Sequence, residues 1–238
     1  MQIDIVTLFP EMFQGPFAVS IVARAKAQGL LSLNVVNLRA FGVGEHRTTD
    51  DYPYGGGPGM VMRPEPIVRA VEWAAARVPA PPLVLVTSAQ GRRLEQRDLQ
   101  GWASQPYLVI VAGHYEGIDQ RVMELLAAQE VSVGDFVLTG GELPAMVMVD
   151  GVVRLLPGVL GAPDGAQRDS FSNGEGDLEG PQYTRPLVYR GQEVPAVLRS
   201  GHHERIRAWR AQQGREAAAR RARSLPGAPG SPGAEPRD

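Results

Sequence analysis

The chain has 238 residues, 43% of them apolar and 6% aromatic, enough for one large domain or a main domain with a smaller appendage. A formal net charge of −2 and a pI of about 6.1 exclude a globally basic nucleic-acid binder, so any RNA contact has to rest on local basic patches. With no cysteine, disulfides, thiolate zinc sites and cysteine nucleophiles are excluded together, which fits a reducing cytosolic setting.

Met1 leads directly into Gln2-Ile3-Asp4-Ile5-Val6, without a basic segment and apolar core of the signal-peptide kind. No stretch approaches the roughly 18 apolar residues of a membrane span, and the chain reads as cytoplasmic with no membrane partner. Lys26 is the only lysine, so arginine clusters reflect composition as much as RNA binding.

Residues 3–8 read as a buried strand and 17–28 as a helix stopped by Gly29. Residues 31–38 alternate as a second strand, and 39–62 are polar and glycine-rich. Pro64 and Pro66 open a helix with Val68, Val71 and Trp73 as core-facing positions. Residues 83–86 and 108–111 have the β-branched character of central strands, 118–128 form an amphipathic helix pattern, and 131–138 are another apolar run. A helix over 142–156 accommodates Pro144 in its first turn and ends at Pro157-Gly158. Residues 158–181 are loop-like, 199–223 a basic helical segment, and 224–238 a Pro/Gly/Ala tail of disordered composition. Alternating strands and helices of this kind imply an α/β layer structure with a largely parallel sheet.

Four constellations stand out. Tyr54-Gly55-Gly56-Gly57-Pro58-Gly59-Met60, after Arg47-Thr48-Thr49-Asp50-Asp51, lets backbone amides approach a ligand, or is simply a surface loop. It is neither a P-loop nor a dinucleotide fingerprint, because the lysine and the glycine spacing are missing. Gly113-His114-Tyr115-Glu116-Gly117 follows a strand, where open α/β sheets place ligands. Its His-x-Glu is half of a zinc-deaminase signature whose cysteines are absent. A carboxylate there suits a ribose hydroxyl, a cation or an amino group; the alternative is a tight turn with a solvated Glu116.

The third constellation, residues 132–144, runs from an apolar strand through Gly140-Gly141 into a helix. Its free backbone groups are suited to an adenine edge. The alternative is a plain strand-turn-helix connection, but two glycine turns after successive strands suggest one shared crevice. The fourth is Arg168-Asp169-Ser170-Phe171 in the polar linker, with Arg154 at the end of the preceding helix; composition alone would leave Asp169 as a surface residue.

These motifs, together with Pro157-Gly158-Val159-Leu160-Gly161 and Tyr183-Thr184-Arg185-Pro186, closely resemble bacterial tRNA (guanine-N1) methyltransferases of the SPOUT class, which act at position 37. The resemblance runs in one register from Met1 to about Arg210. It implies a SPOUT-type α/β domain over residues 1–160 with a deep C-terminal trefoil knot, a rare exception to ordinary topology. It further implies a flexible linker over 161–182, a small helical domain over 183–223 and a tail over 224–238. The implied methyl donor is S-adenosylmethionine, held in the knot by Thr87, Ser88, Ala89, Gly113, Tyr115, Glu116, Gly117, Ser132, Val133, Gly134, Asp135, Phe136, Val137, Leu138, Gly140, Gly141 and Pro144. The implied RNA partner is the tRNA anticodon stem-loop, and family members are homodimers with sites built from both chains.

By motif match, Asp169 is the general base for guanine N1, and Arg154 stabilises the charge that develops on O6. The family depends on Mg2+, for which no ligand is assignable. His114 stands where some members carry arginine, Ala89 where proline is common, and the C-terminal segment is short. Arg205, Arg207 and Arg210 are candidate phosphate partners or a solvated helix face. Rival readings are a catalytically silent RNA-binding module, opposed by the presence of Asp169 and Arg154, and a ribose or ribosomal-RNA methyltransferase, opposed by Asp169-Ser170-Phe171. A nucleotide-binding metabolic enzyme is opposed by the missing phosphate-loop lysine.

Overall fold

The computed structural model describes residues 1–161, 165, 169–172 and 178–224. The expected tail beyond Ser224, Arg168 and much of the expected linker lie outside the described residues. The chain divides into two compact units, Met1–Pro163 and Asp164–Asp238.

The first unit is built on five strands: β1 (Gln2–Thr7), β2 (Ser32–Asn37), β5 (Leu83–Arg93), β6 (Tyr107–Ala112) and β7 (Gln129–Ser132). They lie in the order β2-β1-β6-β5-β7, and every pairing is parallel. The expectation of an α/β protein with a parallel sheet agrees with this. Parallel strands covered on both faces read as unbroken apolar runs, and β6 is buried at every position.

The two-residue strand period sorts these side chains into two cores. Ile3, Ile5, Leu108 and Ile110 face one side, against Trp102 of α3 (Gln96–Ala103) and Met148, Val149 and Val152 of α5 (Glu142–Val153). Val6, Val109 and Val111 face the other, with Ile67, Ala70 and Val71 of α2 (Pro64–Ala75). A short antiparallel pair, β3 (Asp50–Asp51) and β4 (Val61–Met62), flanks the glycine-rich loop.

Several elements depart from the expected boundaries. The helix anticipated over 17–28 is a 3₁₀ turn, Pro16–Ala18, then α1 (Ser20–Ala27), separated by Val19 in extended conformation. The anticipated 118–128 helix shrinks to α4 (Arg121–Leu125), because Asp119 accepts the Arg121 amide at 3.0 Å on one side and Ala127 turns left-handed on the other. Trp73 does not face the core. It is 46% exposed, stacked under the Arg77 guanidinium 4.3 Å from its ring centroid.

The strand expected over 131–138 ends at Ser132. The Ser132 hydroxyl accepts from the Gly134 amide at 3.2 Å and donates to the Gly134 carbonyl at 2.9 Å, a local turn that competes with the ladder. Beyond it Phe136, Val137 and Leu138 are exposed. β5 in turn runs longer than expected, to Arg93, with a register break between Thr87 and Arg92.

The second unit contains a hairpin of β8 (Val188–Tyr189) and β9 (Gln192–Glu193), a 3₁₀ turn Ala196–Arg199 and a helix His203–Ser224. That helix starts later than Arg199 because Gly201 adopts φ 68°. It presents arginines and few apolar groups, and residues 178–180 pass over it, with Gly214 buried beneath the Leu178 carbonyl.

Candidate active site

The register break of β5 and the C-terminal ends of β6 and β7 converge on one cavity of about 250 Å³. Ligands of open parallel sheets sit outside the carboxyl ends of the strands. Fifteen of the seventeen residues assigned above to the methyl donor form its wall: Thr87, Ser88, Ala89, Gly113, Tyr115, Glu116, Gly117, Ser132, Val133, Phe136, Val137, Leu138, Gly140, Gly141 and Pro144. Gly134 closes the turn beneath the Phe136 ring instead. Asp135 is turned outward, 3.6 Å from Arg93.

The three loops are bonded to one another. The Gly141 amide donates to the Gly113 carbonyl at 2.6 Å, and His114 and Gly140 form an antiparallel bridge. The Thr87 hydroxyl donates to the Val111 carbonyl at 3.3 Å and accepts from the Gly113 amide at 3.1 Å. A Cβ on Gly141 would overlap that hydroxyl, so the close passage of the third loop over the first two requires glycine there.

The glycine-rich loop is joined to the same turn. The Glu116 amide donates to the Met60 carbonyl at 3.0 Å, the Met62 amide to the Gly117 carbonyl at 2.9 Å, and the Asp119 amide to the Met62 carbonyl at 3.0 Å. Gly59, at φ +82°, lies against Glu116, where a Cβ would stand 2.5 Å from Cγ. Tyr54 at the tip of the loop is fully exposed. Asp119 closes the turn, and the Arg121 guanidinium bonded to it at 2.8 and 2.7 Å holds its carboxyl below the usual carboxylate range.

Glu116 and Glu130 are the carboxylates on the cavity wall, chemically suited to ribose hydroxyls or an amino group. Backbone amides and carbonyls of the turns, with Val133 and Leu138, suit a planar heterocycle. Sequence reasoning did not single out Gln90, Ile118, Gln120, Met123, Glu130 or Thr139, which also line the cavity. Apart from Thr139, which lies within the 132–144 segment, none belongs to a motif, and only the fold brings them there.

Below the floor lies a polar group that sequence reasoning missed. Glu142, 2% exposed at the first turn of α5, accepts from the Thr7 hydroxyl at 2.9 Å, and its other oxygen is 3.7 Å from His114 Nδ1. The signal was an acidic residue at a helix start, ordinarily read as a solvated partner of the helix dipole.

The two residues assigned to chemistry sit on different units. Arg154 caps the C-terminal end of α5, half-buried, its amide bonded to the Asp150 carbonyl at 3.1 Å. Asp169 is half-buried in the second unit, its carbonyl accepting from the Ser172 amide at 3.2 Å. Beside it, the Ser170 hydroxyl accepts from the Glu179 amide at 3.0 Å, and Arg221 lies 5.2 Å from the Phe171 ring centroid. Among the described residues no three His, Asp or Glu side chains gather into a metal-holding group. No described helix is long and apolar enough to cross a membrane.

An all-parallel sheet with glycine turns and a nucleoside-sized cavity at its strand ends defines an α/β protein built to hold a small heterocyclic ligand. Comparison with known proteins narrows that class. The family model for tRNA (guanine-1)-methyltransferase, TrmD, matches residues 1–226. The protein named tRNA (guanine-N(1)-)-methyltransferase in Moorella thermoacetica is 53% identical over 223 residues, 93% of this chain and 88% of its own. Proteins of the same name in Desulforudis audaxviator and Bacillus velezensis are 54% and 50% identical, over 90% and 88% of this chain and 84% and 86% of their own lengths. The chain belongs to the tRNA (guanine-1)-methyltransferase family and is thereby a methyltransferase.

Proposed function

We propose that this enzyme transfers a methyl group from S-adenosylmethionine to N1 of guanosine 37 in the anticodon loop of tRNA. The observation that carries the reading is the convergence of the β5 bend and the two glycine turns that follow β6 and β7 upon one cavity, in a chain that matches the family over residues 1–226. The cavity's chemistry fits the donor, with carboxylates at Glu116 and Glu130 and an apolar rim at Val133, Val137 and Leu138. When bound, the donor supplies a sulfonium-activated methyl group.

The chain's own residues do the rest. Guanine N1 is a poor nucleophile until its proton leaves, and the Asp169 carboxylate accepts that proton. Negative charge then spreads to O6, where the Arg154 guanidinium stabilises it more than it stabilises the neutral base. A base in an anticodon loop leaves its stack at lower cost than one in a duplex. The arginines of the C-terminal helix, Arg205, Arg207 and Arg210 among them, contact phosphates.

The mutual bonding of Thr87 in β5 with the loops after β6 and β7 supports a knotted SPOUT arrangement. A C2 homodimer with shared sites is supported by Leu143 and Val147, apolar residues of α5 that are 51% and 53% exposed. The direct test is methylation of unmodified tRNA transcripts carrying guanosine or another base at position 37. Transfer to the guanosine transcript alone is expected, and equal transfer to both would overturn the assignment.

A further inference from the structure

Among the described residues, His114 Nδ1 is the one buried side-chain nitrogen or oxygen without a hydrogen-bond partner. A buried polar atom left unpaired forfeits its hydration without compensation, so its survival calls for a state in which it is paired. The nearest candidate is Glu142 Oε2 at 3.7 Å, within ion-pair range but beyond hydrogen-bond distance. The carboxylate is otherwise committed: Oε1 accepts from Thr7 Oγ, whose hydroxyl oxygen in turn accepts from the Phe9 amide at 2.9 Å. The histidine ring is held on its flanks by Phe9 and Tyr115, with centroids 4.9 and 5.0 Å away.

Gly140 passes over this gap. A Cβ there would stand 2.4 Å from Glu142 Oε2 and 2.5 Å from His114 Nδ1, so only glycine leaves the two groups free to meet. Both His114 and Gly140 line the cavity, whereas Glu142 lies beneath it. The gap is therefore bordered by the two loops that a ligand in the cavity would press together.

We propose that His114 and Glu142 are positioning residues that form a latch, in which filling the cavity moves the 113–117 turn onto the start of α5 and lets His114 Nδ1–H donate to Glu142. Thr7 holds the carboxylate in place for that contact, tying the latch to the end of β1. The inference rests on the cavity being the methyl-donor site. It assigns a role to two side chains for which the methyl-transfer chemistry has no use.

The probe is S-adenosylhomocysteine, measured by calorimetry together with 15N spectra of the histidine rings. His114→Ala removes the donor. Glu142→Gln removes the negative charge and leaves a single acceptor oxygen, where the carboxylate aims one at Thr7 and the other at His114. Each variant should weaken binding by about tenfold, the scale of one charge-assisted hydrogen bond. The double variant should be no weaker than either single one, since both break the same contact. In the wild type, one ring Nδ1 resonance, absent from His114→Ala, should shift on ligand addition, and in Glu142→Gln it should not.

His114→Gln, which restores a side-chain donor, should recover part of the affinity and guards against a folding defect in the alanine variant. In turnover, KM for the donor should rise in the single variants while KM for tRNA stays constant. Wild-type affinity in the single variants, losses that multiply in the double variant, or a His114 resonance unmoved by ligand would each overturn the latch. No binding by the wild type would instead overturn the donor-site reading on which it rests.

Discussion

Two buried polar clusters lie on the same sheet, and they differ in a way that separates stability from function. Toward the N-terminal ends of the strands, Asp4 is fully buried and completely satisfied. Oδ1 accepts from Asn34 at 2.8 Å and Gln2 at 3.2 Å, and Oδ2 accepts from the Tyr107 hydroxyl at 2.7 Å. Toward the C-terminal ends, Glu142 has one strong partner in Thr7 and one gap in front of His114. A satisfied network rigidifies a fold, whereas an unsatisfied one marks a place where binding has yet to contribute its contact. One cluster is fully paired, and the other keeps His114 Nδ1 unpaired among the described residues.

The largest effect expected belongs to neither cluster. Asp169→Asn should lower single-turnover methylation by about 10²- to 10⁴-fold, the usual loss for a general base. Affinity for S-adenosylhomocysteine and thermal stability should hardly change. A variant that methylates guanosine 37 at the wild-type rate removes Asp169 from the chemistry. Next comes Asp4→Ala, which strands three polar groups and should cost about 3 kcal/mol in chemical denaturation. Donor affinity of the folded fraction should be unaltered; a loss comparable to that of His114→Ala would erase the contrast between the clusters.

How much of this was legible in the sequence follows from the same physics. Leu108 and Ile110 were readable as strand residues because a parallel strand buried on both faces leaves no polar alternation, and Ile3 and Ile5 because they alternate with Gln2 and Asp4. Pairing of β1 with β6 across about a hundred residues was not, since no local pattern encodes a crossover. Residues 133–138 looked like strand because they are apolar, yet the cavity rim needs apolar groups in the open and the Ser132 turn cuts the ladder. Glu142 and Thr7 meet across 135 positions, a contact that only the folded topology creates. The glycine turns were legible because close backbone passage leaves glycine little substitute. Asp169 and Arg154 stood out only through family resemblance.

Tyr107→Phe sharpens the comparison at a smaller scale. Burial and the bond to Asp4 push the phenol's pKa up, so the folded state favours its neutral form. That contribution is complete below the ordinary tyrosine range, near 10, and is lost as pH rises toward the folded value. Wild-type stability should therefore fall above about pH 10 more steeply than that of the Phe variant. At neutral pH the variant should be destabilised by about 1 kcal/mol. Parallel curves for the two proteins at high pH would remove Tyr107 from the linkage.

The smallest effect concerns the second unit. Replacing Arg207 or Arg210 by alanine should weaken tRNA binding modestly and reduce the slope of log affinity against log salt by about 1 for each phosphate no longer neutralised. An unchanged slope would leave these arginines as a solvated helix face.

The claim on which the rest depends is that the cavity at the strand ends holds the methyl donor. Calorimetry of S-adenosylhomocysteine against the wild type and Ala89→Trp tests it directly. Ala89 is an exposed residue on the cavity wall, so the bulky ring obstructs the cavity without disturbing the core. Binding of about one ligand per chain by the wild type without added metal, and loss of that binding in a variant that unfolds at the wild-type temperature, is the predicted result. Equal affinity in both proteins would contradict it and move the donor site elsewhere on the molecule.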